Sequence, residues 1–443
     1  MPDAVIDAAR QFLRSFTKPS RVLVAVSGGS DSKGLLLALH SALGAAEYEG
    51  FSLAACTVDH ALRTESASEA EAVASFSAEL GIPHRIARWE GEKPATGIQA
   101  AARNKRYELL AAAAEALGAD CIVTGHTLDD QRETIAMRGL RDAGGGHGAA
   151  GMAASMLYGR RIWVLRPFLD LRRADIRSFL EGRGVGWLED PSNANPEFER
   201  VRVRARLATS DNVPGPSPGG RQRAASSARS AALIEKHIRV HDALVAEVSS
   251  RQAGDIDDPD WRRALLTVAT ALGGRDHLPA RATVERLAGF LRSAEPGRLT
   301  AGRVVIDRRS GVLYLYREAR NLPLLEIGPG EKGVWDGRFT VTSKGPALTV
   351  TAAPAPGERR MQRLIDAGLP MGVAKRASLV APHIVTADAT LEEASAEVEC
   401  RIAPYDTFLP GFDRIMADAI AVLFGRDRYR APPVRDVLTE MEG

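Results

Sequence analysis

Short apolar runs alternate with longer stretches of helical period through the first half of the chain. Strand-like runs fall near 21–26, 51–58, 82–89, 120–124 and 162–166, and helix-like runs near 31–44, 66–80, 97–117, 127–140 and 172–182. Alternation at this spacing predicts a parallel sheet wrapped by helices on both faces, the doubly wound α/β arrangement. Ahead of it, residues 1–20 pattern as an amphipathic helix with Val5, Ile6, Phe12, Leu13 and Phe16 inward. In such folds ligands sit beyond the carboxyl ends of the strands, where this chain carries its polar loops.

The second half is patterned differently. Pro214-Gly215-Pro216-Ser217-Pro218-Gly219-Gly220 reads as a linker; its literal GxSxG is accidental, because prolines flank Ser217 and no nucleophile elbow can form. Helical patterns follow at about 224–252, 258–272 and 280–294, then a hairpin near 303–316 around Arg309-Ser310-Gly311. Residues 326–443 begin as short strands, Arg338 to Thr342 and Ala347 to Thr351, and end in the apolar run Phe412 to Phe424. The expected division is a catalytic domain at 1–212, a linker at 213–223, a mainly helical domain at 224–325 and a small mixed α/β domain at 326–443.

Charge narrows the function classes. With 58 Lys and Arg against 56 Asp and Glu in 443 residues the net charge is +2, so any nucleic-acid contact must come from local patches. Cys56, Cys121 and Cys400 are far apart and form no CxxC, which argues against a disulfide framework, a zinc site or a cysteine-ligated cluster. There is no run of 18 apolar residues, so the expectation is a soluble, cytoplasmic protein without membrane contact.

Candidate chemistry is concentrated in the loops after the strands. Ser27-Gly28-Gly29-Ser30-Asp31-Ser32 joins an apolar strand to an apolar helix, the setting in which backbone amides and a helix N-terminus cradle phosphate. The glycines permit close approach and the serines offer hydroxyls, while Asp31 would repel phosphate unless magnesium stood between them. A magnesium nucleotide is implied. It is not a Walker A loop, since no Gly-Lys-Ser/Thr follows. Asp59 and His60 end the second strand, where an acid meets a ribose or adenine edge or else caps an Asx turn. With a helix starting near Thr127, His126, Asp130 and Glu133 share one face and could hold magnesium, bind an amine or relay a proton. The Gly-rich stretch from Gly144 to Gly151 follows a helix rather than a strand, so it reads as a loop over the site and not as a dinucleotide fingerprint. Residues 160–206 are rich in arginine, including Arg200, Arg202, Arg204 and Arg206, which fits a solvated surface or a phosphate-contacting patch equally well.

SGGSDS resembles the pyrophosphate loop of the N-type ATP pyrophosphatases. Together with VDHALR, GHTLDDQRET, Gly151-Met152, Arg166-Pro167-Phe168 and Trp187-Leu188-Glu189-Asp190-Pro191-Ser192-Asn193, in this order, it resembles the tRNA(Ile)-lysidine synthetase family over about the first 206 residues. The resemblance implies an N-type ATP pyrophosphatase domain at 1–212 followed by tRNA-binding regions. It also implies a reaction in which ATP adenylates carbon 2's oxygen on the wobble cytidine of an isoleucine tRNA with a CAU anticodon. Free L-lysine then displaces AMP to leave lysidine. By the same resemblance Ser27 to Ser32 bind ATP, with Asp31 on magnesium. Asp59 and His60 lie near the adenosine, and His126, Asp130 and Glu133 form the lysine and metal end. Arg103 meets phosphate or the activated base.

The metal set implied is Asp31 and Asp130. Whether the chain acts as a homodimer stays open. Three positions depart from the family pattern: Asn195 replaces an acid, Val201 an asparagine, and Lys33 is unusual beside a pyrophosphate loop. The alternative is another ATP pyrophosphatase modifying tRNA with a different nucleophile. The missing cysteine pairs argue against a thiolase of that kind, and the acidic helix face argues against a non-catalytic RNA-binding protein.

Overall fold

The computed structural model describes residues 2–141, 151–189, 199–208, 219–293, 295–386 and 396–435. The Gly-rich stretch at 144–150, Asp190 to Asn195 and linker residues 213–218 lie outside the described residues. The chain divides into two compact units. One comprises Met1–Ala224, Pro410–Phe412 and Arg430–Gly443, and the other Ala225–Leu409 and Asp413–Tyr429.

The first unit begins α1 (Pro2–Arg14), β1 (Arg21–Ala25), α2 (Ser30–Leu43), β2 (Ser52–Asp59), α3 (Ser66–Glu79), β3 (His84–Arg88) and α4 (Ile98–Ala116). It continues β4 (Cys121–Thr124), α5 (Leu128–Arg141), β5 (Ser155–Tyr158), β6 (Ile162–Leu165), α6 (Arg173–Glu181) and α7 (Glu199–Ala208). Its sheet runs β5-β6-β4-β1-β2-β3, with every neighbouring pair parallel except β5 and β6. Val22, Leu23 and Val24 in the central strand are fully buried, as a strand covered on both faces requires. The alternation read from the sequence is therefore present, with boundaries within a residue or two. The unexpected strand is β5. It is short and owes its place to a turn through Gly159 and Arg160, both left-handed, that folds it antiparallel onto β6.

Close packing places the first loop. Gly34 of α2 lies where a Cβ would stand 2.3 Å from Ile176 Cγ2 on α6, so only glycine lets these helices meet. Gly125, after β4, lies where a Cβ would stand 2.7 Å from the Asp31 carbonyl oxygen and 2.9 Å from Ser32 N. The loops following β1 and β4 are thereby pressed together at the sheet's carboxyl edge.

In the second unit the helix expected over 224–252 breaks. It is α8 (Gly219–His237), then β7 (Arg239–His241) and β8 (Val245–Ser249), then α9 (Ser250–Gly254). Left-handed Asp242 and Ala243 make the turn, and β8 is held by antiparallel pairing to β11 (Val312–Arg317), a partner more than sixty residues away that local periodicity does not reveal. The helices α10 (Pro259–Leu272) and α11 (Arg281–Arg292) and the strands β9 (Gly297–Ala301) and β10 (Val304–Arg309) complete this region. The expected hairpin is β10–β11, turning through left-handed Ser310 and Gly311. One apolar core in this unit joins Leu244, Tyr314 and Tyr316, from the region expected at 224–325, to Trp335, Val341, Leu364 and Val373, from the region expected at 326–443.

Candidate active site

The Ser27–Ser32 loop is ordered by its own side chains. Ser32 Oγ accepts from Ser27 N at 3.1 Å and donates to the Gly29 carbonyl at 3.1 Å, while Ser30 Oγ donates to Asp31 Oδ1 at 3.0 Å. Gly28 is left-handed at φ 81° and Gly29 caps α2 with no side chain in the way. A cavity of about 270 Å³ opens here, lined by Ser27, Gly29, Ser30, Asp31, Ser32, Gly125, His126, Asp130 and five arginines: Arg106, Arg173, Arg177, Arg200 and Arg204. A neighbouring cavity of about 930 Å³ shares Ser27, Gly29, Arg106, Arg200 and Arg204 and extends past Thr57, Asp59, His60, Ile98, Met137 and Val201.

The acidic helix face is built by a capping arrangement. Thr127 N and Oγ1 both donate to Asp130 Oδ2, at 2.8 and 3.0 Å, which starts α5 and turns Asp130 Oδ1 toward the loop of Asp31. Arg173, at the start of α6, donates from Nε to Asp31 Oδ2 at 2.8 Å and from Nη2 to Asp130 Oδ1 at 3.1 Å. Its backbone N–H is fixed on Asp129 Oδ2 at 2.8 Å. Glu133, one turn on and 1% exposed, accepts from Arg200 Nε at 2.5 Å and Arg204 Nε at 2.6 Å. Arg200 also reaches Asp130. The alternate arginines lie on a helix rather than an extended segment, and the i, i+4 pair is the one that meets Glu133.

Three carboxylates thus stand among three guanidiniums. Burial acts against the charge on Arg173, but Asp31 and Asp130 more than offset it and hold its pKa well above the arginine range. Burial also pushes Glu133 up, yet the hydrogen bonds from Arg204 and Arg200 prevail and its carboxyl titrates below its ordinary value. For Asp130 burial prevails over Arg200 and its value is raised. His126, with Nδ1 2.8 Å from Thr124 Oγ1, is held well below its ordinary 6.5 by burial and then by Arg166, Arg106, Arg200 and Arg103. Its imidazole is neutral at neutral pH.

The remaining predicted residues are distributed unevenly. Asp59 makes the Asx turn, accepting from Ala61 N at 2.7 Å, and also borders the larger cavity. His60 borders it too, edge-on to Trp89, with Nδ1 buried and lacking a protein hydrogen-bond partner. Arg103 does not line either cavity: it is exposed and stacks 5.2 Å from the Tyr107 ring, and Arg106 takes the lining position one turn later. Arg106, Arg173 and Arg204 were not singled out as site residues from the sequence. For Arg173 and Arg204 the signal was present in the arginine density of 160–206, but partner choice was not; Arg106 lies outside that stretch. Gly151-Met152 is tied to the acidic helix, with Met152 N donating to Gln131 Oε1 at 2.6 Å and Gln131 Nε2 to the Met152 carbonyl at 2.9 Å.

The PP-loop domain family matches residues 3–210, the span that carries every element of the site. The chain is 72% identical to the tRNA(Ile)-lysidine synthase of Rhizobium meliloti (strain 1021) over 453 aligned positions, covering all of both proteins. The chain belongs to the tRNA(Ile)-lysidine synthase family. A second synthase of this family, from Mesorhizobium japonicum, is 38% identical over 93% of this chain and 94% of its own length. Among solved structures, the U34-tRNA thiolase NcsA from Methanococcus maripaludis aligns with 46% of this chain and 72% of its own at 15% identity and a TM-score of 0.38. That likeness is too slight to bear on the site. The loop of Ser27–Ser32 and Asp130 of the acidic helix line one cavity, while Glu133 lines neither cavity and meets it only through Arg200 and Arg204.

Proposed function

We propose that this protein joins free L-lysine to carbon 2 of the wobble cytidine of isoleucine tRNA with a CAU anticodon. It is an ATP-dependent ligase. The cytidine O2 attacks the α-phosphorus of ATP and pyrophosphate leaves; the lysine ε-amine then attacks carbon 2, AMP departs with that oxygen, and the amine gives up a proton. The observation that carries this reading is the full-length 72% identity to a synthase, seated on a PP-loop domain whose candidate loop and acidic helix share one cavity.

The residues have roles that the chemistry supports. Backbone amides and hydroxyls of Ser27–Ser32 receive phosphate oxygens, and the surrounding arginines offset charge at the pentavalent phosphorus. Glu133, with Asp130, receives the lysine ammonium. The nucleophile must lose its proton, and neutral His126 or a carboxylate beside it accepts that proton. Asp31 near the start of α2 and Asp130 near the start of α5 bond one guanidinium, which brings two hard oxygen donors to the same side chain. With phosphate oxygens completing the shell they would hold magnesium, which would neutralise the triphosphate.

ATP, free lysine and tRNA together suit a cytoplasmic enzyme, and no helix among the described residues is long and apolar enough to cross a membrane. A homodimer is the assembly to test by light scattering. The decisive experiment supplies purified protein with magnesium, labelled lysine and unmodified isoleucine tRNA transcript. Label entering RNA only with ATP present, and lost in Asp31→Ala, is the expected result. Pyrophosphate release without lysine transfer would point to a different nucleophile.

A further inference from the structure

Lys33 lies in the first turn of α2, directly after the Ser27–Ser32 loop. A cation there opposes the positive end of the helix dipole, and in a phosphate loop it would be expected to reach for phosphate. It does neither. Its Nζ donates to the Gly186 carbonyl at 2.9 Å and lies 4.6 Å from the centroid of the Phe76 ring, and the side chain lines neither cavity. Burial lowers its pKa, consistent with a partly desolvated ammonium held by that carbonyl.

What Lys33 grips is a segment that covers the loop. Two residues beyond Gly186, Leu188 N donates to the Gly28 carbonyl at 3.0 Å, and its Cδ1 lies 2.8 Å from where a Cβ on Gly28 would stand. Glu189 follows, accepting from Arg177 Nη2 at 2.7 Å and Trp187 Nε1 at 3.0 Å. Leu188 borders both cavities and Glu189 the smaller one.

We propose that Lys33 is a positioning residue for the phosphate end of the nucleotide site, acting through Gly186 and Leu188 to hold the 186–189 segment against the Gly28–Gly29 turn. This hold governs how tightly the β- and γ-phosphates of ATP, and the pyrophosphate they become, are retained. The inference rests on reading Ser27–Ser32 as a phosphate loop.

The test uses full-length wild-type protein, Lys33→Met, which keeps an apolar stem over Phe76 but cannot donate, and Lys33→Arg, which can. Lysidine formation is measured with pyrophosphate or AMP as inhibitor. In Lys33→Met, pyrophosphate inhibition and the KM for ATP should weaken about tenfold, as for loss of one charge-assisted hydrogen bond, with AMP inhibition unchanged. Lys33→Arg should restore most of the difference. Equal weakening toward pyrophosphate and AMP would mean general loosening and overturn the proposal, as would no change in either. Wild-type protein insensitive to pyrophosphate would instead overturn the phosphate-loop reading, and the proposal with it.

Discussion

Arg173 Nε lies 2.8 Å from Asp31 Oδ2, tying the start of α6 to the loop after β1, while the other arm of the same guanidinium lies 3.1 Å from Asp130 Oδ1 on α5. One side chain therefore holds two carboxylates together at the point where a cation is expected.

Replacing it with Arg173→Gln leaves two partly buried carboxylates facing each other. Stability should fall by about 1–3 kcal/mol, the range for stranding buried charged partners. A divalent cation should recover more of the lost melting temperature in the variant than it adds to wild type. Calorimetry with and without magnesium checks this; equal response of the two proteins would count against a shared cation position.

Gly125→Ala tests the approach of the two loops. The new Cβ would meet Asp31 and Ser32 backbone rather than a flexible side chain, so the loops must separate. A displacement of this kind costs about a hundredfold in kcat/KM where reacting groups must align. Activity should therefore fall far more than the urea midpoint; unchanged kinetics would show that the contact is unimportant to catalysis.

Glu133→Gln separates lysine binding from adenylation. The neutral amide takes the anion from Arg204, leaves Arg200 with Asp130 alone, and removes the charge that receives an ammonium. The KM for lysine should rise roughly thirtyfold or more, as for loss of a charged hydrogen-bond partner, with ATP- and tRNA-dependent pyrophosphate release retained. If both steps vanish together, Glu133 serves the nucleotide half of the site instead.

His126 predicts a pH signature. Its native pKa is depressed from 6.5, so on acidification the unfolded chain takes up a proton that the native imidazole refuses. Its contribution to stability is present in full above about pH 6.5 and is lost as pH falls below that value toward the native pKa. Urea unfolding between pH 7.5 and 5.5 should show a shallower decline in His126→Gln than in wild type. Parallel profiles would mean the ring is not desolvated.

Much of the fold and candidate site was legible because it is encoded locally. Val22-Leu23-Val24 before Ser27-Gly28-Gly29 is a buried strand feeding a tight turn, whatever surrounds it. The spacing of His126, Asp130 and Glu133 is read off a helix, and Ser310-Gly311 makes the β10–β11 turn from its own backbone preferences. What only tertiary structure decided is which charges meet. Arg173 reaches Asp31 across 142 positions and Arg204 reaches Glu133 across 71, distances set by sheet order and by how α6 and α7 come back over the loops. The same cause set Arg103 against Tyr107 and Arg106 at the cavities, aimed Lys33 at Gly186 instead of the phosphate cavity, and drew Val245–Ser249 out of a helical pattern onto β11. Side-chain periodicity states which face a residue occupies. Only the packed chain states what that face opposes.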